Sequence, residues 1–541
     1  MIFGSSGLAI RPLNRTRDAP QALELSGVER VVPDALLIVA RVKLALKSKN
    51  AFGTTRSTLC GLPARGGIVD DVGLSATSPT PGGPENDRAF LGHPRGLGYL
   101  AFTEAWERFS YYGMQTLLVL YMTRQLLLPG HVERIAGFGW FQPAVERIYG
   151  NGGPMSTIAL ASAIFGIYTS LVYLTPIAGG FVADRWLGRT RTITLGALLM
   201  TAGHFLMAFD VSFLAALLCL LIGVGCFKGN LASQIGALYA PEDLRRADAF
   251  QIYYLFINAA VIIAPLVTGT LGEKAGWHYG FGAAGVGMIL GLVIYRSGKK
   301  WLPAEPVRGQ TASAPRAKFT RDERKALALL IALVPVLALG AVGNQQIFNA
   351  YMLWVPDHVS LVFFGQTMPT TWLVTVDAIV SVACLVGAVA FWRLWAKRFP
   401  EPSEVNKITL GLALCTAAMG CLAMAGVSSA SGQKASIGWV LGFELLNSMG
   451  FANIFPVGLA LYARASPKAI VGTMVGVYML HLFLCNNLVG KLGGLLDHMS
   501  GTNFWLLHAG LVGTSCVVMF IAARLGGHLL NPTGPAEKTA A

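Results

Sequence analysis

The sequence predicts an all-α membrane protein with twelve transmembrane helices in two six-helix halves, and three observations support this fold class. Apolar residues make up 54% of the 541 residues and charged residues only 13%, against roughly a quarter charged residues in soluble proteins. Twelve apolar segments reach the ~20 residues that a spanning helix needs. A polar loop at 296–324 separates six of these segments from the other six, which is typical of two-halved transporters.

The predicted spans follow one another through most of the chain. They lie at about 98–123, 157–182, 190–209, 212–238, 249–272, 278–295, 325–347, 371–391, 407–427, 436–461, 470–494 and 503–524. We therefore expect an amino-terminal half at 91–295, a linker at 296–324 and a carboxy-terminal half at 325–525. Residues 1–90 and 526–541 contain no apolar run of that length and are predicted to be a disordered extension and a short tail.

Basic residues are distributed unevenly between the predicted loops, and this asymmetry predicts the orientation. Cytoplasmic loops of membrane proteins carry an excess of Lys and Arg. One side of this chain, which includes the basic linker, carries Arg185, Arg189, Arg191, Arg245, Arg246, Arg393, Lys397, Arg398, Lys407, Arg464 and Lys468. We therefore expect a plasma-membrane protein with both termini in the cytoplasm and with basic loops that contact membrane lipids.

Within the amino-terminal extension, one basic amphipathic stretch at 34–47 is the best candidate for ordered structure. Such a stretch can lie on a membrane surface. It is not a secretory signal peptide, because its apolar run is late and basic residues interrupt it.

The composition excludes a soluble enzyme and a nucleic-acid-binding domain. No GxSxG, HExxH or GxxxxGK[ST] motif occurs in a suitable context. Seven of the eight cysteines lie in apolar runs without a CxxC pair, and His204, His481 and His508 are isolated. We therefore expect no disulfide framework, metal site or cofactor, and nothing in the sequence indicates an obligate protein partner.

The first span carries charged residues that need an explanation, since a charge in a membrane helix costs roughly 2.5–3.5 kcal/mol. Steps of three and four residues place six polar side chains on one helical stripe. They are Glu104, Glu107, Arg108, Tyr111, Tyr112 and Gln115. Such a stripe faces the interior of the bundle, where a proton on a carboxylate would change its pairing with Arg108. The alternative is a static ion network that only fixes helix packing.

The segment from Glu104 to Gly113 resembles the ExxERFxYYG motif of the proton-dependent oligopeptide transporter family, part of the major facilitator superfamily. The resemblance implies the major facilitator fold and proton-coupled symport of short peptides. A second match to the superfamily, between the second and third spans, implies a gating loop. Its residues are Gly180, Asp184, Arg185, Gly188 and Arg189.

The resemblance extends along the amino-terminal half. Lys228 stands in a GxGxxKxN pattern of the fourth span, and Asn258 ends an FYxxIN-like pattern of the fifth. Tyr173 precedes Pro176 in the second span, as a substrate-lining tyrosine does in the family. These matches imply that Arg108 and Lys228 serve a peptide carboxylate, and that Glu104, Glu107, Arg108 and Lys228 take part in proton coupling.

Two family positions that form an ion pair between the halves are neutral in this chain, where Gln115 and Gln345 stand. The loss of both charges is coherent, because losing one would leave a buried charge unpaired. Two amides can still hydrogen-bond to each other. This pair therefore cannot act as a proton switch here.

The acids of the carboxy-terminal half also depart from the family pattern. Asp377 stands where the eighth span usually has an Asn, and the usual tenth-span Glu is replaced by Phe451. Asp377 and Glu444 are therefore the candidates for binding a peptide amino group. We favour Asp377, because Glu444 lies nearer the outer end of its helix, where solvent would suffice to hold it.

The residues and the resemblance together predict a symporter that imports di- and tripeptides with protons by alternating access, with Tyr111, Tyr112 and Tyr173 lining the pocket. One alternative keeps the mechanism with another cargo: nitrate, a modified amino acid or a drug-like zwitterion. Another is a transporter-like membrane sensor that uses residues 1–90 for its output.

Overall fold

The computed structural model describes residues 87–150, 152–240, 242–305, 319–363 and 365–530. The predictions for the stretch 34–47, for most of the amino-terminal extension and for the end of the tail lie outside the described residues.

Twelve long helices form the bundle. They are α1 Arg95–Tyr121, α3 Thr157–Val182, α4 Arg189–Leu206, α5 Phe213–Gly236, α6 Arg245–Ala264, α7 Trp277–Gly298, α8 Arg321–Gln345, α10 Trp372–Trp395, α11 Glu404–Ser429, α12 Ile437–Arg464, α13 Val471–Gly493 and α14 Gly501–Leu530. Their bounds lie within four residues of the predicted spans except at the ends of α6, which stops at residue 264, and of α14, which continues to residue 530. The predicted fold class, two groups of six spanning helices, is therefore confirmed.

Ten of these helices are long and apolar enough to cross a membrane by length and composition alone. The other two are α1 and α4. Helix α1 contains the charged residues Glu104, Glu107 and Arg108, and α4 contains Arg189, Arg191 and His204, which make it less apolar. Both pack within the bundle, so the count of twelve stands for the part of the chain that the structure describes.

Local signals set the helix ends. Thr320 and Glu323 form a reciprocal capping box at the start of α8, which satisfies free backbone N–H groups. At the start of α3, the Ser156 side chain accepts a hydrogen bond from the backbone N–H of Ala159. At the far end of α6 the chain widens into π-helical turns from Pro265, because proline lacks the N–H that would continue the α-helical bonding.

Two short helices and a hairpin were not predicted. Helix α2, Phe138–Tyr149, follows α1, and helix α9, Ala350–His358, follows α8. The strands β1, Val362–Phe363, and β2, Gln366–Thr367, form an antiparallel hairpin before α10. Neither helix approaches the length of a span, which is why a search for 20-residue apolar runs passes over both.

The two halves pack against each other along two helix pairs, α3 with α13 and α6 with α10. Helices α3 and α13 approach so closely that a Cβ on Gly166 would lie 2.5 Å from the Gly490 Cα. Glu273, beyond α6, accepts hydrogen bonds from the backbone N–H groups of Thr370 at 3.1 Å and Thr371 at 2.8 Å. These contacts lie at the end of the bundle opposite the basic loops.

Candidate functional site

The charged residues predicted on α1 form a buried cluster. The Nε atom of Arg108 lies 3.0 Å from Glu104 Oε1 and 2.5 Å from Glu107 Oε2. The three side chains are at most 5% exposed. One guanidinium therefore faces two carboxylates, which is the arrangement that the helical spacing predicted.

This cluster is paired by charge but poorly satisfied by hydrogen bonds. Neither contact of Arg108 Nε has the alignment of a hydrogen bond. Among the described residues, Arg108 Nη2, Glu104 Oε2 and both carboxylate oxygens of Glu107 have no hydrogen-bond partner. Buried polar atoms are normally satisfied, so this network can accept a proton or a polar ligand.

Lys228 of α5 faces the same region. Its Nζ lies 5.1 Å from the ring centroid of Tyr173 on α3, and it acts electrostatically on Glu107 and Glu104. The residue is half-buried. The structure thus brings together four residues that the sequence predicted from three different helices: Lys228, Tyr173 and the two acids.

Aromatic side chains surround the cluster and reach the other half. The guanidinium carbon of Arg108 lies 5.4 Å from the ring centroid of Tyr111, which packs against Tyr112. The Tyr112 ring lies 6.1 Å from that of Phe348, between α8 and α9. The predicted tyrosines therefore line the boundary between the halves.

Two further tyrosines belong to the site, although the sequence did not single them out for it. Tyr253 of α6 is buried beside the cluster and interacts electrostatically with Glu104 and Arg108. Tyr168 of α3 is buried near Glu107 and Arg108, and its hydroxyl has no partner among the described residues. A buried hydroxyl in an apolar helix needs a hydrogen-bond partner, as a buried charge needs a counter-charge. A tyrosine within an apolar run is therefore the sequence feature that would have identified Tyr168.

The two acids of the carboxy-terminal half lie together. The Asp377 carboxyl on α10 contacts the Glu444 side chain on α12. Tyr351 of α9 donates a hydrogen bond to Glu444 Oε1. Glu444 is 0% exposed, so the expectation that solvent holds this residue is wrong. The reason is α9, which was not predicted and which covers Glu444.

The other predicted residues make local contacts in this conformation. Gln345 Nε2 donates to Asn344 Oδ1 at 3.1 Å, and Gln115 Oε1 has no partner among the described residues. Among the described residues, no hydrogen bond joins Gln115 to Gln345, because the Gln345 amide turns to its neighbour Asn344. Asn258 Nδ2 donates to the Tyr254 carbonyl within α6 at 2.8 Å.

The predicted gating loop connects α3 to α4. Its acid, Asp184, makes no bond to the opposite half among the described residues. Asp184 is exposed and forms no ion pair among the described residues. Gly188 has a φ of 78°, and the Glu305 carboxylate accepts hydrogen bonds from the backbone N–H groups of Arg189 at 2.9 Å and Thr190 at 2.7 Å. Burial raises the pKa of Glu305, but these hydrogen bonds outweigh it and hold the pKa below its usual value. Of the remaining predicted loop residues, Gly180 lies near the end of α3, and the guanidinium carbon of Arg185 lies 5.2 Å from the ring centroid of Phe181.

No group of three or more His, Cys, Asp or Glu side chains is placed to hold a metal ion in the part of the chain that the structure describes. The arrangement instead offers two groups of acids, one in each half, with two cations beside the first. Such a site can bind a zwitterion or exchange protons.

Comparisons with known proteins agree with this geometry. A sequence model of the POT family matches residues 190–320 and 306–506. The peptide transporter YePEPT of Yersinia enterocolitica is 27% identical over 491 residues, which cover 78% of this chain and 91% of that protein. A di-/tripeptide transporter of Lactococcus lactis subsp. cremoris is 29% identical, over 73% of this chain and 88% of the relative.

Solved structures give the same result. A crystal structure of the peptide transporter POT in complex with sulfate superposes with a TM-score of 0.69 at 25% identity, covering 81% of this chain and 96% of that one. A structure of a variant of that transporter in complex with alafosfalin also superposes with a TM-score of 0.69 at 25% identity. The predicted major facilitator fold is thereby confirmed, as is the prediction that the chain is a transporter and not an enzyme. With the matched residues spanning more than half of its length, the chain belongs to the POT family.

Proposed function

We propose that the protein imports di- and tripeptides together with protons, by alternating access across the plasma membrane. The observation that carries this proposal is the α1 cluster, in which Glu104 and Glu107 share Arg108 beside Lys228. Two relatives are named as a peptide transporter and a di-/tripeptide transporter, and these names support the choice of cargo.

The positions of the contacts between the halves support an inward-open state. Glu273 and Gly490 join the halves at one end, while the basic loops lie at the other. With basic loops in the cytoplasm, the outer end is closed and both termini are cytoplasmic.

A short peptide is a zwitterion, and the two groups of charged residues match its ends. Lys228 and Arg108 serve the carboxylate, while Asp377 and Asn258 serve the amino group. Tyr112 and the other aromatic residues line the space between them. Coupling then requires only that the proton and the peptide favour the same conformation.

The direct test is uptake of radiolabelled dialanine by vesicles that contain the purified protein. We expect uptake that rises with an inward proton gradient and collapses when an ionophore removes it. Competition by nitrate, modified amino acids or drug-like zwitterions that exceeds competition by dipeptides would instead favour the alternative cargo.

The sensor alternative has its own test. Asp87 pairs with Arg245 at 3.0 Å, so a deletion must stop at residue 86 to spare this contact. Unchanged uptake after deletion of 1–86 would remove the main support for the sensor.

Asp377→Asn tests the amino-group site. The variant restores the residue type usual in the family, so expression should be normal. Hydrogen bonds to charged groups exceed neutral ones by about 1 kcal/mol, so affinity for free dipeptides should fall about fivefold. Affinity for amino-acetylated dipeptides should change little. Equal losses for both ligands, measured by competition, would assign Asp377 to packing or proton movement.

Gly166→Val tests the closed outer end. The added side chain meets the Gly490 backbone, and overpacking of this kind costs about 1–3 kcal/mol. That is enough to shift a two-state equilibrium roughly 5- to 150-fold. We expect spin labels at residues 152 and 498 to report a longer distance. Gly476→Val is the matched control, because a Cβ there meets nothing within 4 Å. The same distance in both variants would contradict the assignment.

A further inference from the structure

Asp377 and Glu444, here called the acid pair, lie in contact without a cation. Ser448 Oγ lies 3.5 Å from Asp377 Oδ1 and 3.0 Å from Ser381 Oγ. The Tyr351 hydroxyl donates a hydrogen bond to Glu444 Oε1. Among the described residues, neither acid forms an ion pair with a Lys, Arg or His side chain. The pair therefore differs from the α1 cluster, where Arg108 stands between the acids.

Two ionised carboxylates in contact repel each other, and burying each charge without a partner costs several kcal/mol. The structure adds a second sign of a missing partner. Glu444 Oε2 is buried and has no hydrogen-bond donor among the described residues, while the Asp377 carboxyl contacts the Glu444 side chain. A carboxylate only accepts, whereas a protonated carboxyl also donates. A single proton therefore satisfies both acids at once.

We propose that the acid pair holds one proton in this conformation, with Glu444 as the protonated partner, and that it is a second proton-binding site separate from the α1 cluster. Glu444 is assigned the proton because it is fully buried, while Asp377 is half-buried and has Ser448 beside it. The role of this second proton-binding site in transport rests on the proposed function, whereas the presence of the proton does not.

The titratable groups near the acid pair are a phenol and a thiol, which do not take the proton from the acids. They are Tyr351 of α9, whose hydroxyl donates to Glu444, and Cys384 of α10, which interacts electrostatically with Asp377. Phenols and thiols are neutral near pH 7 in their ordinary state.

This arrangement keeps one negative charge on Asp377. A protonated Glu444 donates to Asp377 while it accepts from Tyr351, so the charge of the pair is held at the more accessible acid. Asp377 then remains available to an ammonium group, which agrees with its proposed role for the peptide amine.

Infrared spectroscopy of the purified protein tests the proposal without any cargo. At neutral pH in heavy water, we expect a carboxylic acid C=O band that disappears in Glu444→Gln. Tyr351→Phe should keep the band but shift it to higher frequency, because the carbonyl oxygen loses a hydrogen bond. Glu107→Gln is the control for the α1 cluster and should leave this band in place.

An unchanged band in folded Glu444→Gln would overturn the proposal. Should that variant fail to fold, an unshifted band in Tyr351→Phe would overturn it as well. The proposed function is tested separately. If peptide uptake does not depend on the proton gradient while the Glu444 band is present, the proposed function is wrong and the proton site stands.

Discussion

Glu107→Gln is expected to abolish uptake driven by a proton gradient while leaving exchange of peptide across the membrane partly intact. Glu107 is fully buried and lies 2.5 Å from Arg108 Nε. A glutamine keeps the shape of the side chain but can neither ionise nor take up a proton. Arg108 then pairs permanently with Glu104, at 3.0 Å, and no longer responds to the proton.

The measurement compares two assays on the same vesicles. Concentrative uptake of labelled dipeptide under an inward proton gradient should fall to background, and counterflow without a gradient should persist, because exchange needs no net proton movement. Asp322→Asn is a matched control: that carboxylate is 80% exposed and pairs with Lys325 on the first turn of α8, away from the cluster. Concentrative uptake by Glu107→Gln at the wild-type rate would end the assignment.

Much of the fold and of the amino-terminal site could be predicted, because both depend on the free energy of placing neighbouring residues of one helix in the membrane. A spanning helix needs a long apolar run, and a charge within it needs a partner on the same helical face. Glu104, Glu107 and Arg108 are spaced along one helix, so their contact could be predicted from the sequence. The twelve spans follow from the same reasoning.

The carboxy-terminal site depends on contacts between distant segments, and the sequence did not reveal them. Glu444 is buried because Tyr351, 93 residues earlier, bonds to it from the short helix α9. Likewise the close approach of Gly166 and Gly490 depends on how α3 and α13 dock. A glycine in a membrane helix does not indicate by itself which backbone approaches it.

Lys228→Ala is expected to cause the other large loss. Among the described residues, Lys228 forms no ion pair within 4 Å, and its Nζ lies over the Tyr173 ring. The charge is therefore available to a substrate carboxylate, and it also acts on Glu107. Hydrogen bonds to a charged group contribute about 1.5–3 kcal/mol, so affinity for a free dipeptide should fall about 10- to 150-fold. Proton-driven uptake should be lost with it.

A ligand with a neutral end separates the two roles of Lys228. A dipeptide amidated at its carboxyl end offers no anion, so it should compete poorly with free dipeptide in the wild-type protein. In Lys228→Ala the preference for the free acid should disappear, because the cation that distinguishes the two ends is gone. Lys397→Ala, at an exposed position beyond α10, controls for the loss of one positive charge and should retain the preference.

If the amidated dipeptide competes for the wild-type protein as well as the free acid does, Lys228 is no carboxylate site. Its charge would then act only on Glu104 and Glu107, and loss of proton-driven uptake with unchanged peptide affinity would be the matching result.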